Sequence, residues 1–242
     1  MKKLHISVLL TLLIFISLLN CVTNKKIALN DNSDNNGNNE ITDVTTMATP
    51  NGGKLKSAQE GPIRSALGVP IIDLNTFKLE ITGLVDYPYT LTWNEIQTFP
   101  AAYTDTILMY CVEGWEVWGN WKGILVKDLM EKAHMQPEAE YIYFSCADSY
   151  STALPVSYAL NYNAMLAYEV NGSPLKEQDG FPLRLIAFGK YGYKWAKWVN
   201  KLEAVERSQK GFWEMQGYSD QADVPLKRRR YYEGENANPL EY

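Results

Sequence analysis

Cys111 stands in LMYCVEGWEVWGNWKG, residues 108–123, together with Trp115, Trp118 and Trp121, the acids Glu113 and Glu116, and Gly114, Gly119 and Gly123. A thiolate is a nucleophile and a ligand for soft metals, whereas a thiol in an apolar strand is commonly inert core. TDTILMY, 104–110, reads as a short strand, so Cys111 falls where that strand ends. Gly114 lets backbone come close to a bulky group, and three indoles are more flat apolar surface than a short loop should leave uncovered. A buried inert thiol, a disulfide to Cys146, a thiol nucleophile and a metal ligand all remain open. A nucleophile would want a basic partner, and His134 is poorly suited to that part.

FPLRLIAFGKYGYKWAKWV, 181–199, is the second constellation. Arg184, Lys190, Lys194 and Lys197 alternate there with aromatic residues and with Gly189 and Gly192. Basic residues on the wet face of a strand account for this blandly. The sharper reading is an anion site, in which a flat ligand lies among aromatics while Arg and Lys hold its phosphate and Gly192 brings backbone N–H groups near. Taken together, the two stretches permit a soft metal on a thiolate with a phosphorylated organic cofactor beside it, without demanding it.

Other chemistry is excluded by what the chain lacks. Its two histidines are His5 and His134, too few for a His-rich zinc centre or a bis-histidine haem. Its three cysteines, Cys21, Cys111 and Cys146, form no C-x-x-C pair. No glycine-rich phosphate loop, G-x-S-x-G or H-E-x-x-H is present. A net charge of −5 does not point to nucleic acid. The basic run Lys227–Arg230 reads as a solvated surface, with a membrane headgroup or acidic partner as the rival reading.

Among the elements that must position these residues, strands outnumber helices and hairpins are frequent. FKLEITG, 77–83, and YIYFSCA, 141–147, read as strands, the second carrying Cys146. YTLTWNEIQTFP, 89–100, starts a short helix with Thr92 as N-cap, Glu95 three residues on and Pro100 as a stop. ILVKDLMEKA, 124–133, is expected as an amphipathic helix with Ile124, Leu125, Leu129 and Met130 on one face. LPVSYALNY, 154–162, reads as a short helix, and Asn171-Gly172 as a hairpin turn. FPLRLIAFG, 181–189, and KWAKWVNKLEAVER, 194–207, are read as strands. The sum is a mixed α+β domain with mainly antiparallel and mixed sheets, not a doubly wound nucleotide fold.

The N-terminal region is read as targeting. MKK followed by an apolar run is an export signal, and SLLNC resembles the lipobox of bacterial lipoproteins, with Cys21 the residue lipidated; an uncleaved anchor is the rival. The division expected is a signal peptide over 1–20, a disordered tether over 21–60 rich in Asn, Asp, Thr and Gly, a folded domain over 61–230 and a tail over 231–242. That places the protein outside the cytoplasm, tethered to a membrane.

The sequence resembles the molybdopterin-dependent oxidoreductases of the sulfite oxidase family, especially small bacterial members without a haem domain. The likeness runs from about Pro70 to Tyr218 through IDLNTFKLEITGLVDYP, LMYCVEGW, ADSYSTALPVSYAL, MLAYEVNGSPL, DGFPLRLIAFGKYGYKWAKWVNKLEAV and GFWEMQGYS. It implies that Cys111 ligates molybdenum carried by molybdopterin. Asp179 and Arg184 would lie near the pterin, and Gly192, Tyr193 and Lys194 would form a phosphate-holding turn supported by Lys197. Cys146 would be a pocket residue, and Trp115 and Tyr150 would wall the substrate. Tyr110 stands where an arginine often precedes the ligand cysteine, which bears on the substrate accepted.

The activity so implied is two-electron oxygen-atom transfer on a small sulfur-containing or similar substrate, an oxyanion or a sulfoxide. Electrons would pass to a separate partner, for which a membrane cytochrome is a candidate. The alternatives are a ligand-binding lipoprotein that keeps the fold without turnover and a thiol-redox protein using Cys111 and Cys146.

Overall fold

The computed structural model describes residues 25–27, 49, 54–104, 106–161 and 164–233. The expected signal peptide and Cys21 lie outside the described residues. No helix among the described residues is long and apolar enough to cross a membrane.

Period-two alternation builds the central sheet. In β3 (Lys78–Gly83) Leu79 and Ile81 are fully buried while Lys78 and Glu80 face solvent; in β9 (Tyr141–Cys146) Ile142, Phe144 and Cys146 point inward. β14 (Val199–Val205) lies between them, antiparallel to β9 and parallel to β3. β4 (Tyr89–Thr92) and β10 (Ser151–Pro155) complete a five-stranded sheet in the order β10-β9-β14-β3-β4. Helix α1 (Trp93–Ile96) follows β4 and opens with the expected capping box: the Glu95 amide donates to the Thr92 hydroxyl at 3.4 Å, and the Thr92 amide to the Glu95 carboxylate at 2.8 Å.

The second sheet has the order β1-β5-β8-β11-β12, from β1 (Lys25–Ile27), β5 (Ala102–Thr104), β8 (Trp121–Leu125), β11 (Met165–Val170) and β12 (Ser173–Pro174), with β13 (Arg184–Ile186) paired to β11. β8 and β11 approach so closely that a Cβ on Gly123 would overlap the Leu166 carbonyl. Asn171 and Gly172 both take positive φ, 51° and 76°, and turn β11 into β12 as expected. A third, three-stranded sheet runs β2-β7-β6, from β2 (Lys56–Ser57), β6 (Ile107–Tyr110) and β7 (Glu116–Gly119).

Several expected elements differ. Ile124 and Leu125 belong to β8, not to a helix, because they pair with Leu166 and Met165; α2 begins afterwards, at Val126–Lys132. The expected strand 181–189 is confined to Arg184–Ile186. That expected over 194–207 becomes a 3-10 turn (Gly192–Lys194) followed by β14, the chain turning at Trp198 with φ 61°. Helix α3 (Val156–Asn161) starts later than expected, Leu154 and Pro155 belonging to β10; α4 (Phe212–Met215) and α5 (Leu226–Glu233) follow β14. Lys25–Ile27 and Lys56–Ser57 are strands within the span read as tether, and α5 crosses the expected boundary at 230/231.

Most buried apolar side chains form one core. A smaller cluster of Leu55, Leu108, Tyr110 and Val224 lies beneath the β6–β7 hairpin.

Candidate functional site

Cys111 to Trp115 is the loop of the β6–β7 hairpin, whose last pair is Tyr110 with Glu116. The Cys111 amide donates to the Trp115 carbonyl at 2.9 Å, and the Gly114 amide to the Cys111 carbonyl at 3.2 Å. Gly114 has φ 91°, a conformation that favours glycine. Alternation along β6 sends Met109 and Cys111 into a cavity of about 230 Å³ and Tyr110 the other way, into the small apolar cluster. Tyr110 therefore does not face the cavity. The Cys111 thiol is half-buried; that burial pushes its pKa up, against the Glu113 amide that donates to Sγ at 3.5 Å. A metal bound there would displace the thiol proton.

Another wall carries charge. Arg184 is buried on β13; its Nη1 donates to the Asp179 carbonyl at 3.1 Å and its Nη2 to Met109 Sδ at 3.0 Å. Lys197 Nζ donates to the Gln178 carbonyl at 2.9 Å and lies 4.6 Å from the Trp198 ring centroid. Burial lowers Arg184 to about 10; burial, then the neighbouring Arg184, lowers Lys197 to about 7. Burial also raises the carboxyls of Asp179 and Asp148. Four ionisable groups facing one cavity are thus held away from their ordinary values, a pattern that clusters at functional sites.

Of the residues named from sequence, Cys111, Trp115, Tyr150, Asp179, Arg184, Gly192, Tyr193 and Lys197 line this cavity. The Tyr150 hydroxyl donates to the Tyr193 carbonyl at 2.6 Å and so pins the turn containing Gly192. The Trp115 indole donates to Glu113 at 2.9 Å. Lys194 and Cys146 are not in the lining. The Lys194 ammonium turns into the interior, 2.5 Å from Glu214 and 2.9 Å from the Ala153 carbonyl. Cys146 is packed in the main core, and burial pushes its thiol well up.

Sequence reasoning missed Arg64, Asp148, Trp195, Trp198 and Tyr218, all in the lining. Arg64 reaches across the mouth to Glu113, 2.6 Å away, and both side chains remain largely exposed. Its signal was weak, because IRSALGVP has no period that assigns a face. Asp148 was findable, two residues past the strand that carries Cys146.

No group of three or more His, Cys, Asp or Glu side chains among the described residues is placed to hold a metal ion. A metal here would take one protein thiolate and draw its other ligands from a bound group. Arg184 Nε and Asp179 Oδ2 are buried without a hydrogen-bond partner, which leaves donor and acceptor capacity beside the cavity for a polar ligand.

Comparisons with known proteins agree with that chemistry. Residues 66–213 match the oxidoreductase molybdopterin binding domain family. An uncharacterized oxidoreductase, YuiH, of Bacillus subtilis is 34% identical over 66% of this chain and 80% of its own length. A putative protein-methionine-sulfoxide reductase subunit, YedZ1, of Azospira oryzae is 32% identical over 61% of this chain and 56% of its own. Human mitochondrial sulfite oxidase is 27% identical over 64% of this chain, which spans only 34% of that protein. The crystal structure of the sulfane dehydrogenase SoxCD from Paracoccus pantotrophus superposes with a TM-score of 0.55 at 24% identity, over 58% of this chain and 41% of that one, a likeness of fold. The mixed α+β architecture is therefore that of the sulfite-oxidase-like domain, and the chain belongs to the oxidoreductase molybdopterin binding domain family.

Proposed function

We propose that this protein is a molybdenum-dependent oxidoreductase that transfers an oxygen atom to or from a small oxyanion or sulfoxide-type substrate and exchanges electrons with a separate redox partner. The observation that carries the reading is the pairing, in one cavity, of a presented thiol with the buried guanidinium of Arg184, whose Nε has no hydrogen-bond partner, and the partly buried ammonium of Lys197. The bound molybdopterin would supply the two-electron redox chemistry. Cys111 would donate the protein's thiolate, and the hairpin loop holds that sulfur at the cavity wall. Arg184 and Lys197 would meet the anionic part of the cofactor, and occupancy by an anion would restore the full charge of Lys197. The unpartnered Asp179 Oδ2 would accept a hydrogen bond from a ring N–H or an amide of the ligand.

Trp115 closes the cavity beside the thiol, and Arg64 puts an exposed guanidinium at the mouth, where a small oxyanion would first be attracted. Relatives described as sulfite oxidases and methionine-sulfoxide reductases support a substrate with a sulfur–oxygen bond. The same proposal places the protein outside the cytoplasm, held by a lipid on Cys21, with a membrane cytochrome as the candidate electron partner.

Metal analysis tests the reading. Protein from a cofactor-competent host should carry about one molybdenum per chain, and Cys111→Ser should lose it while melting within about 1 kcal/mol of the parent. A fully loaded serine variant removes Cys111 as the ligand. A wild-type protein with no metal returns the non-catalytic ligand-binding alternative.

A further inference from the structure

The basic run near the C-terminus is only in part a solvated surface: Lys227 is exposed, but its neighbours Arg228 and Arg229 are not. Helix α5 turns two of its arginines inward: Arg229 is buried with its guanidinium 4.9 Å from the Phe188 ring centroid, and Arg228 runs under the Cys111 loop. Arg228 Nη1 donates to the Cys111 carbonyl at 3.0 Å. Its Nε and Nη2 both reach Glu116 Oε1, at 2.8 and 2.5 Å. The guanidinium also lies 5.6 Å from the Tyr110 ring centroid and 5.7 Å from that of Tyr191. One side chain thus grips both ends of the loop, the carbonyl at its first residue and the carboxylate just past its last.

We infer that Arg228 is a positioning residue that fixes the direction in which the Cys111 side chain enters the cavity. The proposal rests on the reading of Cys111 as the metal ligand. The physical ground is that the loop's other restraints are chiefly two backbone bonds and the exposed side-chain contacts of Glu113 with Arg64 and Trp115. Within it the Cys111 amide meets the Trp115 carbonyl and the Gly114 amide meets the Cys111 carbonyl, while Gly114 contributes flexibility rather than stiffness. A charged donor on the Cys111 carbonyl, itself held by the nearly buried Glu116, bears on the backbone of Cys111 directly and is less screened by solvent than the exposed Arg64–Glu113 pair. Arginine suits the task because its planar fork serves carbonyl and carboxylate together, whereas lysine offers a point charge. Arg228 comes from outside residues 66–213, so the family domain borrows this support from a flanking segment.

The test compares wild type, Arg228→Gln and Arg228→Lys as full chains. Hydrogen exchange on metal-free protein should show the segment 108–118 exchanging about tenfold faster in the glutamine variant, with strand 141–146 unchanged and lysine intermediate. In the loaded, partly reduced protein the electron paramagnetic resonance spectrum should change and broaden in the glutamine variant and be partly restored by lysine. Unaltered exchange in the loop, or an unaltered spectrum accompanied only by a lower Tm, overturns the proposal, since either result makes Arg228 a staple for α5 alone. If the glutamine variant does not fold, the lysine variant carries both readouts. A wild-type protein that takes up no molybdenum overturns the ligand reading itself, and the exchange data on metal-free chain distinguish that from a failure of Arg228 to order the loop.

Discussion

Replacing Lys197 by methionine keeps most of the apolar stem and removes a cavity ammonium whose charge burial disfavours. Burial and Arg184 hold Lys197 at about 7 against an ordinary 10.5. At about 1.4 kcal/mol per pH unit, the charged form bears a penalty on the order of 5 kcal/mol. The sign follows from proton binding. Between pH 7 and 10.5 the unfolded chain holds this proton and the folded chain does not, so stability rises with pH across that window and is lowest below 7. The bond to the Gln178 carbonyl and the contact with Trp198 offset part of the gain on replacement. If half the penalty is realised, Lys197→Met should melt about 5–10 °C above wild type at pH 6, and the difference should shrink toward pH 9–10. Asp148, Asp179 and Arg184 face Lys197 in both proteins, so the difference between the two curves isolates the lysine to first order.

The same group should govern anion binding. Sulfate stays a dianion across this range, and cavity tryptophan fluorescence can report its binding to the metal-free protein. At or below pH 7 Lys197 is already charged; above it, binding must take up a proton, so affinity should fall by up to tenfold per pH unit. The methionine variant should bind weakly, without that slope. Parallel melting curves for the two proteins, or wild-type sulfate binding that ignores pH between 7 and 9, would refute the reasoning.

Arg64→Ala should raise KM for an anionic substrate by about tenfold and flatten its salt dependence, with little change in Tm because the Arg64–Glu113 pair is exposed; an unchanged KM removes Arg64 from substrate attraction. Glu214→Gln should cost about 3–5 kcal/mol in denaturant unfolding, since it leaves the buried Lys194 ammonium without its carboxylate and Thr152 without a charged acceptor. Gly123→Ala should fold poorly or not at all, as the added methyl meets backbone of β11 rather than a movable side chain; a variant that melts like wild type would show that β8 and β11 can separate cheaply.

Much of the scaffold was legible because its signals are local. Alternation in FKLEITG and YIYFSCA, the capping box at Thr92 and Glu95, and the Asn171-Gly172 turn each depend on residues within a few positions. The failures share the opposite cause. Ile124 and Leu125 fit a helical stripe, yet their partners Leu166 and Met165 lie some forty residues away, and the ladder they form overrides periodicity. Lys194 sits in a basic-aromatic run that favours an anion site, but Glu214, twenty residues on, determines where its ammonium goes. Arg64 and Arg228 find their acidic partners 49 and 112 residues away, separations at which no spacing rule operates.

These long-range pairs divide the cavity into parts of different origin. Arg184, Lys197 and Asp179 come from the stretch whose motifs carry the family resemblance, and in the wall they form Arg184 Nε and Asp179 Oδ2 have no hydrogen-bond partner. The cysteine loop is braced instead by Leu55, Val224 and Arg228, and approached at the mouth by Arg64, all of them outside residues 66–213. On the proposed reading, the wall that would hold the cofactor is fixed by the domain and the loop that would ligate the metal is braced by its flanks, so the two can change independently. Substitutions in the flanks should then alter how the thiol is presented and which anion is drawn in, while leaving the grip on the cofactor's anionic part unchanged. That separation accounts for Tyr110 as well. With Tyr110 buried in the flank-built cluster, the residue before the cysteine does not face this mouth, and on the proposed reading positive charge for a substrate there would have to come from Arg64.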